Sequence, residues 1–212
     1  MHATIRTVAF RGIDTIPVDV QVHVANGLPS MAIVGLADKA VAESKERVRA
    51  ALASIGLALP PKRIAINLAP ADIVKEGAHL DLPIALGLLV AFGSIPRDAV
   101  DGHMVLGELS LHGTIEPVLG VLPAAMAAVA DGLDLICPAG CGPEADWASD
   151  LSIIAAPDLM ALLNHLRGVQ HLPPPQPRLL PPAHDAPDLA DLRCQETARR
   201  VWRLPVLAVT AF

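Results

Sequence analysis

The chain has 212 residues, of which 52% are hydrophobic and 2% aromatic, with no tyrosine and a formal net charge of −6. That is enough apolar material for one sizeable domain built from Ala, Val, Ile and Leu, the usual makings of a sheet covered by helices. So few aromatics argue against a base-stacking single-strand binder, and the acidic balance sets the whole-chain field against nucleic acid and anionic membranes.

In chain order, Ala3–Phe10 and Ile16–Val24 both alternate. Valines 18, 20, 22 and 24 share one side, and Asp19, Gln21 and His23 the other, the pattern of a half-buried strand. A turn at Asn26-Gly27 and a third short strand over Ser30–Val34 suggest an antiparallel opening. Asp38 is placed to cap a helix over Lys39–Ile55 that Gly56 closes. Its inner face is Val41, Val48, Leu52 and Ile55. A strand over Lys62–Leu68 leads into a loop, APADIVKEGAH, and Asp81 is expected to cap an apolar helix over Leu82–Phe92, with Pro83 tolerated in the first turn. The apolar run Leu82–Ile95 is shorter than the ~20 residues a bilayer requires, so it reads as a core helix and not a span.

Met104–Leu111 reads as a strand, Gly113 as a turn, Ala124–Ala130 as a helix, Leu133–Cys137 and Leu151–Ala155 as strands, and Asp158–Leu166 as a closing helix. The expected fold class is therefore α/β, a mixed sheet with helices. Between Pro173 and Pro187 there are seven prolines and little periodicity, which marks an extended linker. The expected organisation is a domain over 1–168, a Pro-rich linker over 169–190 and a further segment over 191–212. Three cysteines without regular spacing fit a reducing cytosol, and the N-terminus MHATIRTVAFRG lacks the apolar stretch of a signal peptide, so the expected location is cytoplasmic.

The candidate chemistry is sparse. Cys137 and Cys141 offer two thiols where a zinc site wants four ligands, so no metal is expected. Glu76 and Asp81 could form an acid–base pair, but a solvated loop charge and a helix cap are the preferred reading. Between Asp38 and Arg63 there are six basic and three acidic residues. Lys39, Lys45, Arg47, Arg49, Lys62 and Arg63 are thus candidates for contact with DNA phosphates or a neighbouring subunit. The competing reading is an ordinary solvated helix with Glu43–Arg47 as an i,i+4 pair.

Four stretches carry a resemblance: GLPSMAIVGLADKAVAESKERVRAAL (27–52), KRIAINLAPADIVKEGAHLDLPIALGLL (62–89), VLGELSLHGTIEPVLGVLPAA (105–125) and DLRCQETARR (191–200). Together they resemble the N-terminal half of the ComM family, the YifB or magnesium-chelatase-like AAA+ ATPases. The resemblance implies a first domain like that of Lon proteases, with the fold of ribosomal protein S5 domain 2, followed by a linker and an ATPase module. It also implies a homo-hexameric motor that promotes DNA branch migration in natural transformation. DNA and hexamer contacts would run through that module, which also holds ATP and Mg. No cofactor or metal is implied for the chain itself, which alone is expected to be a monomer without a membrane partner.

Lon-type proteases set a nucleophilic Ser within a Lys-Asp-Gly-Pro-Ser-Ala-Gly pattern, and the matching stretch, Lys75 to Asp81, puts His79 at the Ser position. The partner Lys follows a glycine-bounded pattern matched by Gly107 to Gly113, and falls on Leu122. A Ser–Lys mechanism needs hydroxyl and amine together, so no catalytic residue is expected. His79 itself reads as a surface loop residue. The chain keeps Gln195, Glu196, Ala198, Arg199 and Arg200, carries Cys194 where the family has Gly, and then departs into VWRLPVLAVTAF. Codons compatible with that ending can spell Leu-Glu-Val-Ala-Gly-Ala-Gly-Gly-His in another frame, so a frameshift from about residue 201 is the expected cause. No GxxxxGK[ST] phosphate loop occurs in the sequence. The expectation is a non-enzymatic accessory domain cut short before its ATP site. The alternatives are a Lon-like Ser–Lys peptidase and a stand-alone nucleic-acid-binding module.

Overall fold

A computed structural model describes residues 1–177. The two alternating segments form β1 (His2–Arg11) and β2 (Asp14–Ala25), an antiparallel hairpin in which Ala3 opposes Val22 and Ile5 opposes Val20. Valines 18, 20, 22 and 24 are all buried, as their spacing requires, while Gln21 and His23 on the opposite side are exposed. Next comes β3 (Ser30–Val34), which turns away from the hairpin and pairs in parallel with β4 (Arg63–Ala69). The expected antiparallel continuation is corrected here. β4 occupies the free edge of β2, aligning Ile66 with Val22 and Leu68 with Val20, so β3 can only join beyond it. The rows Ile33–Ile66–Val22–Ala3 and Leu68–Val20–Ile5 then form a continuous apolar surface.

Helix α1 (Lys39–Ser54) is capped by Asp38, whose Oδ1 accepts a hydrogen bond from the Val41 amide at 2.7 Å, satisfying an otherwise orphaned donor. Gly56, at φ +79°, ends it. A short 3-10 turn, Ala78–Leu80, leads into α2 (Asp81–Ala91). All of α2 except Val90 is buried, which is what a helix apolar on every side requires. It crosses β1 and β2 at Gly87, where an added Cβ would lie 2.7 Å from Val22 Cγ2.

The segment read as one strand is two, β5 (His103–Val105) and β6 (Glu108–Leu109). The break falls at Gly107, whose amide bonds to the His79 carbonyl at 2.9 Å and whose carbonyl accepts from the Leu82 amide at 2.9 Å. These bonds take the backbone out of the sheet and tie it to the start of α2. Thereafter β6 pairs with β7 (Ile115–Glu116) in a hairpin. Helix α3 (Val121–Ala130) begins earlier than Ala124, behind Gly120. The chain continues through β8 (Asp134–Pro138), the single turn α4 (Gly142–Ala145), β9 (Ile153–Ala156) and α5 (Leu159–Leu166), which Asp158 caps.

The main sheet is mixed and seven-stranded, in the order β3-β4-β2-β1-β5-β8-β9, with the last four strands parallel to one another. Side-chain alternation divides the core. Ile5, Val105 and Ile136 join α1, α2 and α5 on one face, while Val8, Met104 and Leu135 join α3 and α4 on the other. The fold is α/β, as expected. Past Gly168, the expected boundary, the backbone is irregular, but Leu172 still packs on the core and its amide bonds to His165 Nδ1 at 2.9 Å. The remainder of the expected linker and all of 191–212, with Cys194 and the frameshift position, lie outside the described residues.

Candidate functional site

Beside the N-terminus of α2 lies an open cleft of about 580 Å³. Its walls come from β1 (Phe10), the start of α1 (Asp38), the loop before α2 (Glu76, Gly77, His79), β6 (Glu108) and the segment after β7 (Leu119). Among the described residues, three carboxylates and no Lys or Arg line it. His79 is not the surface residue its sequence context suggests, being only 6% exposed. The cause is tertiary: Nε2 lies 2.8 Å from the Val8 carbonyl oxygen, and the ring meets Phe10 edge-on at 5.1 Å. Burial lowers the His79 pKa below its ordinary value, outweighing the hydrogen bond to Val8 and the negative charges of Asp81 and Asp38. A carbonyl only accepts, so the neutral imidazole carries its proton on Nε2 and a lone pair on Nδ1.

Asp81 is completely buried at the first position of α2, and it does not cap that helix. Its carboxylate receives Arg47 in a two-point contact, Nε to Oδ2 at 2.6 Å and Nη2 to Oδ1 at 3.1 Å, and also accepts from the Leu109 amide at 3.2 Å. Arg47 Nη2 further donates to the Ala40 carbonyl at 3.0 Å. This corrects two expectations about α1. The Arg47 guanidinium, expected to be available to DNA or a subunit, is held by Asp81. It does not pair with Glu43, which instead lies 3.8 Å from Lys39. The hydrogen bond to Asp81 raises the Arg47 pKa against the opposing effect of burial.

The other basic candidates are scattered. Lys39 and Arg49 are exposed beside Glu43 and Glu46, at 3.8 and 3.9 Å. Lys45 is half-buried on α1. Lys62 and Arg63 stand at the start of β4, and Arg49 and Lys62 border a separate groove beneath β3. None lines the cleft with His79. Leu122, the second residue of α3, does not line it either. Glu76 is exposed at the cleft, apart from the buried Asp81 in environment and role. Cys137 and Cys141 are buried free thiols. Desolvation pushes the Cys137 thiol up to about 12, and Cys141 Sγ contacts the Val118 backbone. Among the described residues no group of three or more His, Cys, Asp or Glu is placed to hold a metal ion.

Lys75 enters the sequence reading only as the first residue of the stretch ending at Asp81. Its side chain is fully buried, its ammonium donates to the Pro70 carbonyl, and burial lowers its pKa. Only the pairing of its backbone with Leu36 and Asp38 puts it there, and no local pattern signals that.

The fold and cleft define an α/β domain whose mixed sheet is organised around one buried helix. Residues 20–140 match the family described as subunit ChlI of Mg-chelatase. Over 196 residues the chain is 35% identical to the protein YifB of Escherichia coli, an alignment covering 92% of this chain and 39% of that protein. It is 38% identical over 165 residues to the competence protein ComM of Haemophilus influenzae, covering 78% of this chain and 32% of ComM. Rv2897c of Mycobacterium tuberculosis is 37% identical over 194 residues, covering 91% of this chain and 39% of its own length. The chain belongs to the magnesium-chelatase-like ComM/YifB family, and it spans between about a third and two fifths of the length of these relatives.

Proposed function

We propose that this chain acts as a non-catalytic N-terminal accessory domain of a ComM-type AAA+ ATPase, with the Lon-like, S5-domain-2-like fold. One observation carries the reading. At the position of a Lon nucleophile the chain holds His79, buried, neutral and bonded to the Val8 backbone, and at the partner-Lys position it holds Leu122. An imidazole in that state can take a proton, but these two positions supply neither the hydroxyl nor the amine that a Ser–Lys acyl intermediate needs. The neighbouring charged pair, Arg47–Asp81, is engaged in holding α1 to α2 and β6. The chain's work is then to pack and guide the motor that performs DNA branch migration. ATP and Mg belong to that motor, and its homo-hexameric assembly brings DNA and neighbouring subunits to this domain.

A hybrid tests this. Residues 1–177 replace the corresponding segment of the Haemophilus influenzae competence protein ComM, and hexamer assembly, ATPase rate and transformation frequency are measured. The expected result is a hybrid that assembles and transforms, with no fluorogenic-peptide turnover by the chain itself. A hybrid that assembles and hydrolyses ATP yet transforms no better than a deletion sinks the proposal, as does peptide turnover abolished by His79→Ala.

A further inference from the structure

The cleft beside α2 is lined by a histidine with a hydrogen-bonding atom that no described residue uses. His79 Nε2 donates to Val8, so Nδ1 presents a lone pair, and no described residue donates to it. Nor is Nδ1 sealed in the core. Among the described residues the sealed, unpartnered side-chain polar atoms are Thr7 Oγ1 and His103 Nδ1. Space at Nδ1 is kept by Gly77, at φ +93°, where an added Cβ would approach it to 3.2 Å.

The charged side chains that line the cleft have one sign, and the nearby Arg47, which also acts on Glu108, is held by Asp81. Asp38, Glu76 and Glu108 line the same cleft, and none of them joins a salt bridge among the described residues. Of the basic side chains adjoining this lining in sequence, Lys75 is buried and donates to the Pro70 carbonyl, Lys39 lies 3.8 Å from Glu43, and Arg11 is exposed and does not line the cleft. Phe10 and Leu119, the latter 94% exposed, add apolar surface. The complement to this lining is a flat cation with several N–H donors and an alkyl stem.

We propose that the cleft binds an arginine side chain presented by a peptide segment of a partner protein, with the guanidinium donating to His79 Nδ1 and lying among Asp38, Glu76 and Glu108. Guanidinium suits the site because its fork of donors can serve the imidazole and a carboxylate together, and its plane can rest against Phe10. A position that would hold a nucleophile in a peptidase thus serves recognition of a basic segment. The inference stands apart from the accessory-domain reading, since its test concerns ligand binding by this chain and not transformation by a hybrid.

The experiment titrates the ¹⁵N-labelled full chain with Nα-acetyl-arginine amide while following the His79 imidazole Nδ1 resonance. The neutral isostere Nα-acetyl-citrulline amide is titrated in parallel. The expected result is a saturable movement of the Nδ1 signal with arginine and none with citrulline. The double variant Glu76→Gln, Glu108→Gln, both at solvent-reachable positions, should keep a native amide spectrum and weaken binding about fivefold or more, from two partly exposed charge contacts. An Nδ1 signal that does not move, an equal response to citrulline, or an unchanged affinity in the double variant overturns the proposal.

Discussion

The contact between Arg47 and Asp81 shows what one residue's surroundings can do to its role. Asp81 alone at the start of an apolar helix reads as a cap, yet its carboxylate spans to α1 and β6. Removing one partner of such a pair leaves the other charge with no partner in a site largely closed to water. We expect Asp81→Ala to lower unfolding free energy by about 3 kcal/mol, and the double variant Asp81→Ala, Arg47→Ala to cost less than the sum of the two singles. Urea denaturation of the four proteins checks both statements, and strict additivity would refute the coupling. His79 gives a pH prediction. Burial lowers its folded pKa below the ordinary 6.5, so in that window the unfolded chain binds the extra proton. The associated stability is complete above pH 6.5 and declines as pH falls through that value toward the folded pKa, and His79→Gln should flatten this part of the profile. His165, lowered chiefly by burial and then by His171 and His103, contributes with the same sign. The sequence singled out His79 only through a resemblance, and its burial depends on Val8 and Phe10, about seventy residues away.

At the scale of elements, alternation and capping were largely legible. The inward valines of β2 and the Asp38 and Asp158 caps follow from period and residue type, because each depends on backbone geometry within a few residues. Pairing partners were not legible. β3 could have continued the hairpin, and whether β4 or β3 takes the edge of β2 depends on matching apolar rows distant in sequence. The break at Gly107 has the same origin, since its hydrogen bonds go to His79 and Leu82. Gly87 permits a sharp test. An alanine there should favour a helix by about 1 kcal/mol on propensity alone, but its Cβ would meet Val22 Cγ2 at 2.7 Å. We expect Gly87→Ala to destabilise the protein by about 1–3 kcal/mol through overpacking, read as a lowered Tm. A raised Tm would mean that α2 can shift over the sheet.

At the scale of the whole molecule, composition and charge constrain partners more than they identify one. With a net charge of −6, and Lys39 and Arg49 each beside a glutamate, the chain alone should show little retention on duplex DNA at about 0.15 M salt, where such exposed charges are well screened. Fluorescence anisotropy checks this. Tight, salt-sensitive binding would restore the nucleic-acid-binding alternative. Among the described residues no helix is long and apolar enough to cross a membrane, in keeping with the shortness of the apolar run before Ile95. By itself the sequence determined the α/β class, the principal helices, the inward faces of the first strands and the family, because periodicity and motif order are properties of neighbouring residues. Tertiary structure alone decided that Arg47 belongs to Asp81, that Lys75 and His79 are buried, and that His79 shares a cleft with three carboxylates. Those outcomes depend on which distant segments pack together, and burial and hydrogen-bond partners at such range leave no local pattern to read.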